Sequence, residues 1–303
     1  MLKNFSPQSL GINGRQSELI ELALTYGFKG LDIDMYDMLR RSQRTSVEQA
    51  AKYLRATTLK IGTFKLDLDF EANDEAFTSQ VGTLHPLCDL AAELGASRAV
   101  VNVPASNDVS TYQEFFDQTS NRLVQVASVL KDKGIALGVG FRAGKEFDEG
   151  KQYQFVRNVE GLLGLVRSSA GVGLLLDTWE WVVGDGAMDQ ISELKADDIV
   201  AVQLGSVCSE TDVTKATSCD RVLPEKETGF NHVALVKHLA SVGYEGPISP
   251  SSSPAKYKGQ TRENTVKGAQ EAVDGIYTDA ELKVDPLPMD AIEELTFETT
   301  TSI

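Results

Sequence analysis

The 303-residue chain is short of several things, and each shortage narrows what it can be. Cysteine is scarce. Cys88, Cys208 and Cys219 are far apart and odd in number, which argues against a disulfide framework and suits reduced thiols in a cytoplasm. No apolar run approaches the roughly 20 residues needed to span a bilayer. The opening stretch MLKNFSPQSLGING lacks the basic start and apolar centre of an export signal. A cytoplasmic protein without membrane partners is the expectation. Positive charge is also in deficit: 29 Lys and Arg against 44 Asp and Glu leave a net charge of −15. With no dense Lys/Arg cluster, such a chain repels polyanions, so no nucleic-acid partner is expected. Histidine occurs only as His85, His232 and His238, all in helical patterns, so no general-base histidine is expected at a strand end. No Gly-x-Gly-x-x-Gly follows the first expected strand, which argues against a dinucleotide-binding sheet.

What is present is regular. An amphipathic helix is expected over 16–28 after a strand in SLGIN (9–13), and GLDID (30–34) precedes a helix over 46–57 with Ser46 as its cap. LKIGTFKLDL (59–68) leads to a helix over 73–95, and SRAVVNVPA (97–105) to one over 111–133. IALGVGFRA (135–143) is followed by a helical pattern over 154–171. A continuous apolar strand over 172–178 comes next, then a helix over 188–196. DIVAVQLGSV (198–207) is followed, after a long loop, by a helix over 231–244. GPISPSS (246–252) and a helix over 262–277 complete the series. Eight strand–helix units at a spacing of roughly 34 residues fit right-handed parallel crossovers. The expected fold is α/β, a single (β/α)8 TIM barrel over residues 1–282. Residues 283–303 break the pattern and read as an acidic tail, with a helical turn over MDAIEEL.

Such barrels carry their chemistry at the C-terminal ends of the strands. Side-chain alternation then selects the inward set. Strand 2 offers Asp32 and Asp34, and strand 3 offers Thr63 and Lys65. Strand 4 offers Asn102 and Pro104, and strand 5 offers Gly138, Gly140 and Arg142. Strand 6 contributes Leu175, Asp177 and Trp179, with Glu180 just beyond. Gln203 and Gly205 end strand 7, and Ser249, Ser251 and Ser253 end strand 8.

At these positions the chain resembles the sugar-phosphate isomerase/epimerase superfamily, whose barrel is like that of xylose isomerase and endonuclease IV. The resemblance covers roughly residues 8–280. It rests on GFKGLDID (27–34), LDTWEW (176–181), RVLPEKETGFNHVALVKHLASVGYEGPISP (221–250) and the order of elements between them. It implies a divalent metal held by a glutamate on strand 5, an aspartate on strand 6 with a histidine three residues on, a histidine on strand 7 and a glutamate on strand 8. Asp177 matches. Gly140, Glu180, Gln203 and Ser251 stand at the other four positions and depart from the pattern.

Glycine offers no ligand, serine a poor one and glutamine only an amide oxygen, so no metal cofactor is expected. Two carboxylates left without a cation would raise each other's pKa. Arg142 is therefore expected to reach Asp177 and Glu180 as a fixed cation, with Gly140 making room, and Lys65 is the other candidate. The resemblance implies isomerisation or epimerisation of a sugar or sugar phosphate. In a metal-free version Asp177 or Glu180 would be the base and Arg142 or Lys65 the electrophile, with Lys65, Asn102, Trp179, Gln203 and Ser251 binding substrate. The competing reading is a pseudoenzyme that binds a sugar-like ligand or a protein partner. A homo-oligomer is compatible with either.

Overall fold

The computed structural model describes every residue except 149, 226–228 and 289–303. Its strands in chain order are β1 (Leu2–Phe5), β2 (Gly30–Leu31), β3 (Lys60–Ile61), β4 (Phe64–Lys65), β5 (Arg98–Asn102), β6 (Ser106–Asn107), β7 (Ala136–Gly140), β8 (Tyr153–Gln154), β9 (Val172–Asp177), β10 (Ile199–Leu204), β11 (Ser206–Val207), β12 (Arg221–Val222) and β13 (Pro247–Pro250). Nine of them form one parallel sheet in the order β3-β2-β1-β13-β10-β9-β7-β5-β4. The two end strands, β3 and β4, are halves of one chain segment joined through Gly62 and Thr63, so the sheet closes on itself. Eight positions around a closed ring make a TIM barrel, as the alternation of elements requires.

Helices α1 (Gln16–Thr25), α2 (Met35–Arg44), α3 (Val47–Ala50), α4 (Lys52–Arg55), α5 (Asp74–Glu93), α6 (Tyr112–Lys131), α7 (Val159–Ser168), α8 (Thr178–Val183), α9 (Met188–Ser192), α10 (His232–Ser241) and α11 (Arg262–Asp279) fill the crossovers. Their apolar stripes and the outward faces of the strands make the main core, with Phe5, Phe64, Leu87, Leu123, Leu176, Leu235 and Val266 all buried. A second, small cluster of Val100, Leu175 and Ala201 lies apart from it. Register explains the division. Val100 pairs with Gly138 and Ala201 with Leu175, so these residues share the inward face, while their chain neighbours point at the helices. No helix among the described residues is long and apolar enough to cross a membrane.

Two local expectations are corrected. The first strand is Leu2–Phe5, not 9–13, where Gln8–Leu10 forms a single 3-10 turn. Leu10 and Ile12 are both buried and imitate strand alternation, but Gly11 sits at φ +65°, in the left-handed region that ends the turn. The helix α2 was not expected. Asp34 caps it by accepting from the Asp37 N–H, so this carboxylate ends a loop rather than lining the mouth. The described start of the tail packs at the opposite end of the barrel from the strand C-termini. There Asp285 pairs with Lys29, and Leu287 lies against Gly27 in the turn before β2. The helical turn expected over 289–295 lies outside the described residues.

Candidate active site

At the end of β9 the chain turns directly into α8, and Asp177 is the residue on which it turns. Its Oδ1 accepts from the N–H groups of Trp179 (3.0 Å) and Glu180 (3.2 Å), as an N-cap carboxylate does. That geometry brings Glu180 one helical turn later to the same side. Both carboxylates are buried, at 9% and 3% side-chain exposure, so a cation must meet them.

The cation is Arg221. Its Nη1 donates to Asp177 Oδ2 (2.7 Å) and to Ser251 Oγ (2.8 Å), and its Nη2 donates to Glu180 Oε1 (2.9 Å). The guanidinium also stacks on Trp179, 4.8 Å from the ring centroid. Arg221 comes from β12, the return strand of a two-stranded hairpin that leaves the barrel after β10. Gly205, at the start of that hairpin, lets the arginine stem cross: a Cβ there would stand 3.3 Å from its Cγ. The Arg221 carbonyl accepts from the Ser253 N–H (3.0 Å), which pins the hairpin to the loop after β13.

The expected role of Arg142 holds for Glu180 and is corrected for Asp177. It approaches Glu180 Oε1 alone, at 3.5 Å, and stays partly exposed, while Asp177 is taken by Arg221. The space over Gly140 is not the path of Arg142 either. A Cβ at Gly140 would lie 2.4 Å from Asn102 Oδ1, so it is Asn102 that needs the glycine. The fourth carboxylate oxygen, Glu180 Oε2, accepts from the Ala143 N–H at 2.7 Å. All four oxygens of the pair are thus engaged. Burial holds the Glu180 carboxyl above the usual range, although Arg221 opposes that shift and Asp177 adds to it.

The other expected residues divide. Trp179 is fully buried under Arg221, so the face expected to bind substrate is already covered. Ser251 is buried and bonded to Arg221. Gln203 pairs in register with Asp177 on one side and Ser249 on the other, and it keeps partial exposure on the inward face. Asn102 and the exposed Lys65 share that face on β5 and β4. On the far side of the mouth, Asp32 accepts from Asn4 Nδ2 (2.8 Å) and from the Thr63 N–H (2.7 Å), and Asn4 also donates to Ser249 Oγ (2.8 Å).

His232 was expected to be remote but packs behind the hairpin, with Nε2 3.2 Å from Thr178 Oγ1 and 3.3 Å from the Gly205 carbonyl. Burial pushes its pKa down to about 4, so it is a neutral packing group at ordinary pH. A cavity of about 230 Å³ between α8 and the hairpin carries one thiol, Cys208, and among the described residues no charged side chain lines it. Lys256 and Lys258 are exposed, and α11 is capped by its own Thr261.

Sequence reasoning missed Arg221 and Asn4. Arg221 lies 44 residues from Asp177 in a loop whose only signal was a short Arg-Val-Leu run before a proline. Asn4 was hidden by the misplaced first strand.

The five positions at which the resemblance implies metal ligands do not fit a divalent ion. Gly140 is covered by Asn102, and the guanidinium of Arg221 already binds Asp177, Glu180 and Ser251. Among the described residues no group of three or more His, Cys, Asp or Glu is placed to hold a metal.

Comparison with known families agrees with this architecture. Residues 20–276 match the model of the xylose isomerase-like TIM barrel, and the chain belongs to that family. Its fold is similar to that of a xylose isomerase domain protein from Alicyclobacillus acidocaldarius, with a TM-score of 0.81 at 19% identity over 93% of this chain and 99% of that one. The IolI protein, solved with a bound zinc atom, gives a TM-score of 0.77 at 16% identity over 92% and 99%. D-Psicose 3-epimerase from Clostridium cellulolyticum H10, solved with D-tagatose, gives 0.69 at 13% identity over 92% and 99%. No curated protein matches the sequence.

Proposed function

We propose that this chain is a family member that binds a sugar-like ligand at the barrel mouth without turning it over by the family's metal-dependent route. The observation that carries the reading is the saturation of Asp177 and Glu180. Isomerisation or epimerisation next to a carbonyl needs a base with a free lone pair and an electrophile for the developing enediolate. Every oxygen of the two carboxylates already accepts a hydrogen bond, and three of the four face a cation or helix N–H groups. Releasing either would break one arm of a buried ion-pair triad, a cost of several kcal/mol. The exposed or half-exposed groups around the mouth, Lys65, Asn102, Arg142 and Gln203, suit hydroxyl and carbonyl oxygens of a small polar ligand. The ligand class follows two proteins of similar fold, an L-ribulose 3-epimerase and a D-psicose 3-epimerase solved with D-tagatose, whose named sugars are ketoses.

The test is incubation with D-psicose and D-tagatose in D2O, with and without Mn²⁺, followed by NMR. Saturation-transfer signals from bound ketose without deuterium uptake at C3 are expected. Deuterium uptake that disappears in Glu180→Gln would overturn the reading and restore a working epimerase. Absence of any bound ketose would point to a protein partner instead.

A further inference from the structure

The mouth has two halves of different character. In one, Asp177 and Glu180 are neutralised within the chain. In the other, Asp32 is not. It stands on the inward face just beyond β2 and keeps partial exposure. Its Oδ1 is held by two neutral donors, Asn4 Nδ2 and the Thr63 N–H. Among the described residues, no lysine, arginine or histidine forms an ion pair with it.

This arrangement is built, not incidental. Asn4 can lie between β1, β2 and β3 only because Gly30 and Gly62 leave it room. A Cβ at Gly30 would stand 2.5 Å from Asn4 Oδ1, and one at Gly62 would stand 2.1 Å from it. Asn4 is fully buried, and its Oδ1 finds no hydrogen-bond donor among the described residues. The amide is thus spent on orienting Asp32 and Ser249, at the expense of its own carbonyl. Burial holds the Asp32 carboxyl above the usual range, against the lowering effect of the Ser6, Asn4 and Thr63 donors. A desolvated carboxylate at the rim, fixed by neutral groups and lacking a cation, is where a ligand hydroxyl gains most from donating a hydrogen bond.

We propose that Asp32 is the ligand-recognising carboxylate of the mouth, and that it accepts hydrogen bonds from adjacent hydroxyls of a neutral polyol or ketose. The proposal rests on the reading of the mouth as a sugar-like site and names the residue that gives it specificity. Asn4 and Thr63 are positioning residues. They act through Asp32 by fixing its Oδ1.

The test is saturation-transfer NMR and calorimetry with D-tagatose and D-sorbitol on the full chain, comparing wild type, Asp32→Asn and Asp34→Asn. Loss of a charged acceptor predicts affinity roughly tenfold weaker in Asp32→Asn, with melting temperature kept and with Asp34→Asn, a helix cap, binding as wild type. Should Asp32→Asn fail to fold, Asp32→Glu moves the carboxylate by one methylene and is expected to weaken binding as well. Binding unchanged in these Asp32 variants, while wild type binds, overturns the role of Asp32 and leaves the mouth reading intact. A wild type that binds neither probe overturns both.

Discussion

Replacing Arg221 by methionine removes the charge and keeps most of the side-chain volume, so it isolates the electrostatic role of the guanidinium. Two buried carboxylates would then share a site with only Arg142, which reaches Glu180 alone and is partly exposed. Removing one partner of a buried ion pair costs about 3–5 kcal/mol. At roughly 2 °C per kcal/mol for a chain of this size, the melting temperature should fall by about 6–10 °C. The pH response should steepen in a defined direction. Glu180 already has a raised pKa in the folded state, and losing Arg221 raises it further. Between the unfolded and folded values the folded chain binds more protons, so stability falls as pH rises through that window. Arg221→Met should therefore be closest to wild type at acid pH and furthest from it above neutrality. Mn²⁺ should stabilise the variant, by about 2.7 kcal/mol at a hundredfold excess over its Kd. Wild type, with Arg221 between the same oxygens, should show no specific heat of Mn²⁺ binding. Thermal melts across pH, with and without Mn²⁺, read all of this. A variant that melts within 1–2 °C of wild type at every pH, roughly the error of such a ledger, would show that the guanidinium carries no such load.

The barrel was legible because its information is local and periodic. Apolar strand runs alternate with amphipathic helices, and glycines such as Gly95 and Gly134 mark helix ends by adopting positive φ. The failures were local too. Leu10 and Ile12 imitate a strand, and α2 is too polar to announce a core-facing stripe, its ten residues burying only Met35 and Met38. The site was half legible. Asp177, Glu180, Gln203 and Ser251 follow from strand ends and parity, because a parallel barrel fixes where strand ends point. Arg221 does not follow, because no periodicity links a residue of a long loop to a carboxylate pair 44 positions earlier. Charge balance was the available clue. Two buried carboxylates without metal ligands around them require a cation, but strand-end parity favoured Arg142, two residues beyond Gly140. Parity speaks only for barrel strands, and Arg221 enters from a hairpin outside them.

Two further substitutions probe the same framework from its interior. Gly62→Ala places a methyl 2.1 Å from Asn4 Oδ1, and the buried amide has little room to retreat. A cost of about 1–3 kcal/mol in urea denaturation is expected, and a neutral result would mean that Asn4 is not wedged as described. His232 supplies the acid-side counterpart to Glu180. Its folded pKa of about 4 lies below the ordinary histidine value, so the unfolded chain binds the extra proton between those two pH values. Stability therefore drops as pH falls through that interval, by roughly 3 kcal/mol for a shift of this size. His232→Gln keeps a polar partner for Thr178 and the Gly205 carbonyl but cannot take up a proton, so the histidine's share of that drop should vanish in it. The difference between the two urea-denaturation profiles, measured from pH 7 to pH 4, isolates histidine from the carboxylates that titrate nearby. If the profiles run parallel, His232 is charged or solvated in the folded chain. The packing of α10 against the hairpin that carries Arg221 would then have to be different from the one described.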